Sequence, residues 1–431
     1  MKTLGIVCAG LLAACEAGAA DSTVELLSVA QDAATKNVTV TYRLTGADAI
    51  VTLDVLTNGV SVGGVAFVAG DANRLVSADE SAVRTIAWAA AKDRPDEIGP
   101  LGDAARVVVQ AWKPSEPPPY LCLDLMHANV GATYYAGPAA VPGGVTSDLY
   151  KTERLLMRRI PAKGKRWRIG SGLDTGDFPS WYVTLTKDYY LGVYPVTEAK
   201  RRLIRSSTRD FAKTPADYAA AGLLTPAVKV AWTSVRGSTI GAAYPSAAEG
   251  HARTDVDAGS DLAYWRSFTG QNLDLPTDAQ WEFAARAGTS GAFYNGAANA
   301  EALDEIAWTK ENAQGVVQPV GLKAPNALGL YDMIGNVYEH CLDWLTLGAY
   351  EDVNGTAVAV GGDVTDPVGP SGNENNWRVR RGGSCGEPWN SIFQMAYCRV
   401  RYLVSAHKRL DPAAGARFHA ARRPCVACGC L

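Results

Sequence analysis

The chain has 431 residues, 47% of them apolar and 20% charged, with 43 Gly and 22 Pro. That length exceeds one hydrophobic core and implies about two or three domains, while the composition excludes bulk disorder and points to a loop-rich, strand-rich protein. Forty-one Lys and Arg nearly balance 44 Asp and Glu, so no long-range field steers the protein to nucleic acid or an anionic membrane.

In chain order, Lys2 is followed by an apolar run from Leu4 to Ala14 and small residues through Ala20, the pattern of a secretory signal peptide over residues 1–20. The expectation is an exported protein, secreted or held at a bacterial surface or periplasm. Cleavage after Ala17-Gly18-Ala19-Ala20 is the ordinary route. Leu12-Ala13-Ala14-Cys15 also fits a lipoprotein signal, in which Cys15 would carry a lipid anchor and supply the protein's one contact with membrane. No other segment has the ~18 unbroken apolar residues of a membrane span.

Removing Cys8 and Cys15 with the signal leaves seven cysteines: Cys122, Cys341, Cys385, Cys398, Cys425, Cys428 and Cys430. Export permits disulfides. The odd count leaves at least one thiol free or intermolecular, and spacing does not fix the pairing.

Residues 21–112 carry short β-branched runs separated by turns, Val38–Tyr42, Ile50–Val55 and Ala105–Trp112 among them. Their period-two alternation predicts strands, and some ninety residues of them predict an all-β sandwich of the immunoglobulin or fibronectin kind. Lys113-Pro114-Ser115-Glu116-Pro117-Pro118-Pro119 then reads as a stiff linker, because consecutive prolines favour polyproline II. Residues 120–424 mix isolated helices with many loops, and no internal repeat is visible.

One predicted helix starts near Thr197. The clearest begins at Thr277-Asp278-Ala279-Gln280, a capping box. It continues through Trp281, Phe283, Ala284 and Ala285 to a closing glycine at Gly288. The tail 425–431 contains Cys425-Val426-Ala427-Cys428-Gly429-Cys430. It reads as irregular with local disulfides; a zinc site would need a fourth ligand that the tail lacks.

The densest chemistry lies in Gly335-Asn336-Val337-Tyr338-Glu339-His340-Cys341-Leu342-Asp343-Trp344 and in Arg380-Arg381-Gly382-Gly383-Ser384. The first block sets oxygen donors on a tight turn, the kind of surroundings that calcium prefers. Earlier segments share an order with these: Arg159-Ile160-Pro161-Ala162, Asp188–Thr197, Leu275–Gly288, Pro319-Val320-Gly321 and Asn326–Asp332. Together they resemble the formylglycine-generating enzyme, or sulfatase-modifying factor, family over roughly residues 150–420.

The resemblance implies an α+β, C-type-lectin-like fold with little regular secondary structure, stabilised by calcium. It puts calcium at Asn336, the Val337 carbonyl and Glu339, and a second, incomplete site at Asn312 and the Ala313 carbonyl. In that family, two cysteines five residues apart, shortly after Arg-Gly-Gly-Ser, bind copper(I) for oxidation of a sulfatase cysteine to formylglycine. Soft thiolates suit copper(I). Here the corresponding positions, three and eight residues beyond Ser384, are Glu387 and Ile392.

Cys385 and Cys398, thirteen residues apart, are the remaining sulfur candidates beside Ser384, and copper is not expected. Related exported proteins place cysteines in the motifs of Cys341 and Cys398, which implies a disulfide for Cys398 with Cys341 as a partner. Two further departures are Tyr338-Glu339-His340 in place of the family's Trp-Glu-Trp, and Gly415-Ala416-Arg417-Phe418 in place of Gly-Phe-Arg. A histidine at a buried aromatic position needs a polar partner.

His127, His251, His340, His407 and His419 show no metal-ligand or triad spacing. Glu282 reads as structural. The expectation is therefore an exported family member acting as a recognition or scaffolding module for a protein or glycan, through Ser384 and the loops from Gly386 to Leu410. The competing reading is a copper-dependent oxidase built on Cys385 and Cys398.

Overall fold

A computed structural model of the chain describes residues 22–62, 65, 68–93, 105–128, 130–170, 180–207, 210, 212–237, 256–291, 293–296, 299–345, 350–351, 357–359, 361–367, 369, 377–386 and 404–405. The signal segment, Glu387, Ile392, Cys398 and the Cys425–Cys430 tail lie outside them. The chain divides into two compact units. The first contains the described residues through Cys122 together with Ala132–Ser147; the second contains Leu123–Gly131 and those from Asp148 onward.

In the first unit the strand Val38–Gly46 buries Val38, Val40, Tyr42 and Leu44 and turns the alternate residues outward, the period of a half-buried strand. It pairs antiparallel with Ser22–Gln31 on one side and Arg84–Trp88 on the other, and Val68–Gly70 completes that sheet. A second antiparallel sheet centres on Ala49–Thr57, which pairs with Val60–Ser61, Arg74–Val76 and Ala105–Trp112. Asn58 and Gly59 join two of its strands with φ of 52° and 80°, the left-handed pair that a two-residue hairpin demands. One hydrophobic cluster draws on both sheets, from Val40 and Ile86 to Val51 and Val55.

The second unit is built from short pieces, with no described helix longer than nine residues. Arg154–Ile160 pairs antiparallel with Tyr189–Gly192, and Lys165–Ile169 pairs antiparallel with Trp181–Leu185, which in turn runs parallel to Asp363–Thr365. Glu339–Trp344, Trp377–Arg381 and Val404–Ser405 form a third antiparallel sheet. This is a mixed α and β unit with largely antiparallel sheets. Its core gathers Trp181, Trp281, Leu330, Met333, Cys341 and Val379.

Thr197 caps the helix Glu198–Arg205, accepting from the Lys200 amide. Thr277 and Gln280 form the capping box that opens Asp278–Arg286. That helix closes on Ala287 at φ 49°, one residue before Gly288, so an alanine rather than the expected glycine adopts the left-handed closing conformation.

Candidate functional site

The capped helix Asp278–Arg286 places Asp278, Glu282 and Arg286 four residues apart, on one face, and all three are buried. The strand Trp377–Arg381 delivers Arg381 into this face. Its Nε donates to Asp278 Oδ1 at 2.5 Å and its terminal nitrogen to Glu282 Oε2 at 2.9 Å. Glu282 Oε1 accepts from Arg286 and from the Gly170 amide, while Arg286 also donates to the Gly170 carbonyl. Burial opposes the Arg381 charge, but the carboxylates of Asp278 and Glu282 outweigh it and hold the guanidinium protonated above its usual range. The one-turn spacing was readable in the sequence; the partner about a hundred residues away was not.

Next to this network the two motif turns are knitted through their backbones. The Gly335 amide donates to the Gly382 carbonyl, the Asn336 amide to Trp308, and the Cys385 amide to the Asn336 carbonyl, at 2.8 to 2.9 Å. Gly335 is required here: a Cβ at its φ of 75° would lie 2.4 Å from the Trp308 carbonyl oxygen. Ser384 is buried, and its hydroxyl accepts from the Gly386 amide; the side chain is turned into the turn rather than outward. Of the segment from Gly386 to Leu410, the described residues are Gly386, Val404 and Ser405.

A second cation lies on the same sheet. The Arg378 guanidinium is sandwiched 3.9 Å from the Trp232 ring centre and 3.2 Å from that of Trp344, and it donates to the Leu342 carbonyl. Indole faces attract guanidinium through their quadrupole. Trp232 in turn donates its ring N–H to the Cys341 carbonyl at 2.9 Å. Nothing in the sequence spacing pointed to this stack, because its three rings and planes come from separate segments.

Cys341 and Cys385 are buried free thiols. Cys398, the disulfide partner implied for Cys341, lies outside the described residues, among which Cys341 is bonded to no other cysteine. Burial, with the Asp278 carboxylate adding to it, raises the Cys341 thiol well above its usual range, and burial pushes Cys385 up to about 11. Both are neutral thiols at physiological pH, the reverse of the lowered pKa that reactive or metal-binding cysteines show.

His340 finds the partner that its buried position requires: its Nε2 donates to the Val230 carbonyl at 2.9 Å. Burial pushes the imidazole down to about 4, so it is neutral.

Of the side chains expected to hold calcium, Asn336 and Asn312 have their carbonyl oxygen, and Glu339 one of its two carboxylate oxygens, facing a protein N–H. Asn336 Oδ1 accepts from the Gln318 amide and its Nδ2 donates to the Gln318 carbonyl, both at 3.0 Å. Glu339 Oε2 accepts from the Trp281 indole. Asn312 Oδ1 accepts from the Thr309 amide, its Nδ2 donates to Asp304 and to the Ala307 carbonyl, and the Ala313 carbonyl accepts from Val316. Calcium takes about six to eight oxygens, and among the described residues no three carboxylates, histidines or cysteines converge as a metal set. The Asn336 and Asn312 side chains do not fit the cation, because each carbonyl oxygen already accepts from a backbone amide.

Residues 151–408 match the family model described as the sulfatase-modifying factor enzyme 1-like domain, and the chain belongs to that family. Among curated proteins it is 33% identical over 128 residues to the serine/threonine-protein kinase pkn1 of Chlamydia pneumoniae, covering 30% of this chain and 18% of that one. It is 32% identical over 151 residues to the formylglycine-generating enzyme of Streptomyces coelicolor, covering 32% of this chain and 42% of the enzyme. The chain thus spans less than half the length of these relatives. Among solved structures, PvdO from Pseudomonas aeruginosa aligns at a TM-score of 0.43 and 23% identity, over 66% of this chain and 99% of PvdO.

Proposed function

We propose that this chain is a non-catalytic member of its family, an exported recognition or scaffolding module for a protein or glycan partner. The observation that carries the reading is the state of Cys385. It is the sulfur nearest the Arg-Gly-Gly-Ser motif, and it is buried with its thiol pushed up to about 11. Copper(I) wants accessible thiolates, and Glu387 and Ile392 supply none. Similarity to parts of both a protein named as a kinase and one named as a formylglycine-generating enzyme supports reading the domain as a module that different activities can use.

In this reading the loops from Gly386 to Leu410 carry the contact, and the motif turns hold their base. The first unit, with two antiparallel sheets over one core, serves as an immunoglobulin- or fibronectin-like spacer, and the second as a C-type-lectin-like frame. Export follows from the leading apolar segment, with Cys15 the point of any lipid attachment.

The test is the copper-loaded full chain incubated with a cysteine-containing sulfatase peptide under air. Unchanged peptide mass is expected. An aldehyde product, trapped with a hydrazide reagent and lost on Cys385→Ser or Cys398→Ser, would overturn the reading in favour of the oxidase.

A further inference from the structure

We propose that the position where the family resemblance places calcium is closed in this chain by protein, with the Asn336 carboxamide as the closure. The Asn336 side chain presents one acceptor and one donor in the geometry of a peptide group. Gln318 answers with both its N–H and its C=O, each at 3.0 Å. The side chain therefore acts as one more rung of backbone pairing between the turn at Gly335 and the loop that follows the helix Lys310–Ala313. Its own backbone reaches two further segments, donating to Trp308 and accepting from Cys385, at 2.9 Å each. One residue, fully buried and held at φ 60°, thus joins the chain near positions 308, 318 and 385.

Joining separate loops is what a structural cation does, and here the junction is complete without one. A cation brought against Asn336 Oδ1 would meet the positive end of the Gln318 N–H dipole. At Glu339 Oε2 it would meet the indole N–H of Trp281, and at Asn312 Oδ1 the Thr309 amide. Asparagine at 336 fits the clamp for a specific reason: its NH2 can donate to the Gln318 carbonyl, which a carboxylate cannot. A metal ligand would gain from the extra charge of aspartate.

The experiment uses that asymmetry on the full chain. Thermal unfolding is followed in excess EDTA and in excess calcium chloride for the natural protein, Asn336→Asp and Glu339→Gln, and calcium chloride alone is titrated by calorimetry into each. The clamp predicts that the natural protein melts at the same temperature in both solutions. It predicts that Asn336→Asp melts lower by the same amount in both, and that any calcium binding is unaffected by either substitution. It is overturned if calcium raises the melting temperature of the natural protein and Glu339→Gln abolishes the rise. It is equally overturned if calcium restores Asn336→Asp to the natural melting temperature. Should Asn336→Asp fail to fold, the natural protein and Glu339→Gln decide between the two outcomes. The proposal is independent of whether the chain is catalytic.

Discussion

Arg381 and Glu282 meet at 2.9 Å with their side chains 1% and 0% exposed, a fully buried ion pair that ties a strand to a helix. Asp278 receives the other arm of the same guanidinium. Taking a charge out of water is costly, and the pair is tolerated because its groups are further satisfied, Glu282 Oε1 accepting from Arg286 and from the Gly170 amide.

Removing one member should be severe. Arg381→Met is expected to destabilise the second unit by about 3–5 kcal/mol, because Asp278 remains buried without its cation and Glu282 keeps only Arg286. Urea unfolding monitored by tryptophan fluorescence measures it. The double variant Arg381→Met with Glu282→Gln should lose less than the sum of the two single losses; simple additivity would show that the pair is not energetically coupled.

The thiols should be silent. With Cys385 pushed up to about 11 and Cys341 raised further by burial and by Asp278, neither is a thiolate at neutral pH. Iodoacetamide applied to the folded protein is expected to leave the tryptic peptides containing Cys341 and Cys385 unmodified, and to modify both in urea. Rapid labelling of Cys385 in the folded state would contradict the burial on which the proposed function rests.

His340 sets an acid limit on stability. Its imidazole titrates near 6.5 when exposed and at about 4 in the fold, so on acidification the unfolded chain takes up the proton first. The stability it contributes is present above the unfolded value and is lost as pH falls through the folded one. His340→Phe removes this titration and leaves the Val230 carbonyl without its donor. It should therefore cost about 1 kcal/mol at neutral pH and lose less than the natural protein on acidification. Parallel pH profiles of urea midpoints for the two proteins would refute it.

Asn326 is a second carboxamide hub. Its NH2 donates to the Ala284 and Ala285 carbonyls at the end of the capped helix, and its oxygen accepts from the Leu328 and Leu330 amides. Asn326→Ala should cost about 2–4 kcal/mol, since several buried groups lose their partner together. Asn326→Asp should recover little, because the two helix carbonyls need donors. The urea midpoint of each variant checks both statements.

How much of this was legible depends on the range of the interaction. The Thr277 to Gln280 capping box and the strand Ala105–Trp112 were readable because both are set by neighbours a few residues apart. The closing residue of the helix was missed by one position, since Ala287 takes a conformation that propensity reserves for glycine. The Asp278, Glu282 and Arg381 network was not legible, because charged residues are by default assigned to the surface and their partner is remote in sequence. The Cys341 disulfide rested on resemblance alone, and the strand buries that thiol away from any partner cysteine among the described residues. The need of His340 for a polar partner was foreseeable from its buried aromatic position; that the partner is Val230 was not.

The absent side chain of Gly335 has a practical consequence for anyone altering this protein. The Trp308 carbonyl oxygen occupies the space a methyl group would need, and the same stretch runs parallel to Ala307 and Trp308 as a two-residue ladder. Even Gly335→Ala would act as a wedge there, unzipping that ladder first and then the junction at Asn336. Libraries meant to diversify the neighbouring loops should hold this one position fixed and spend their variation elsewhere.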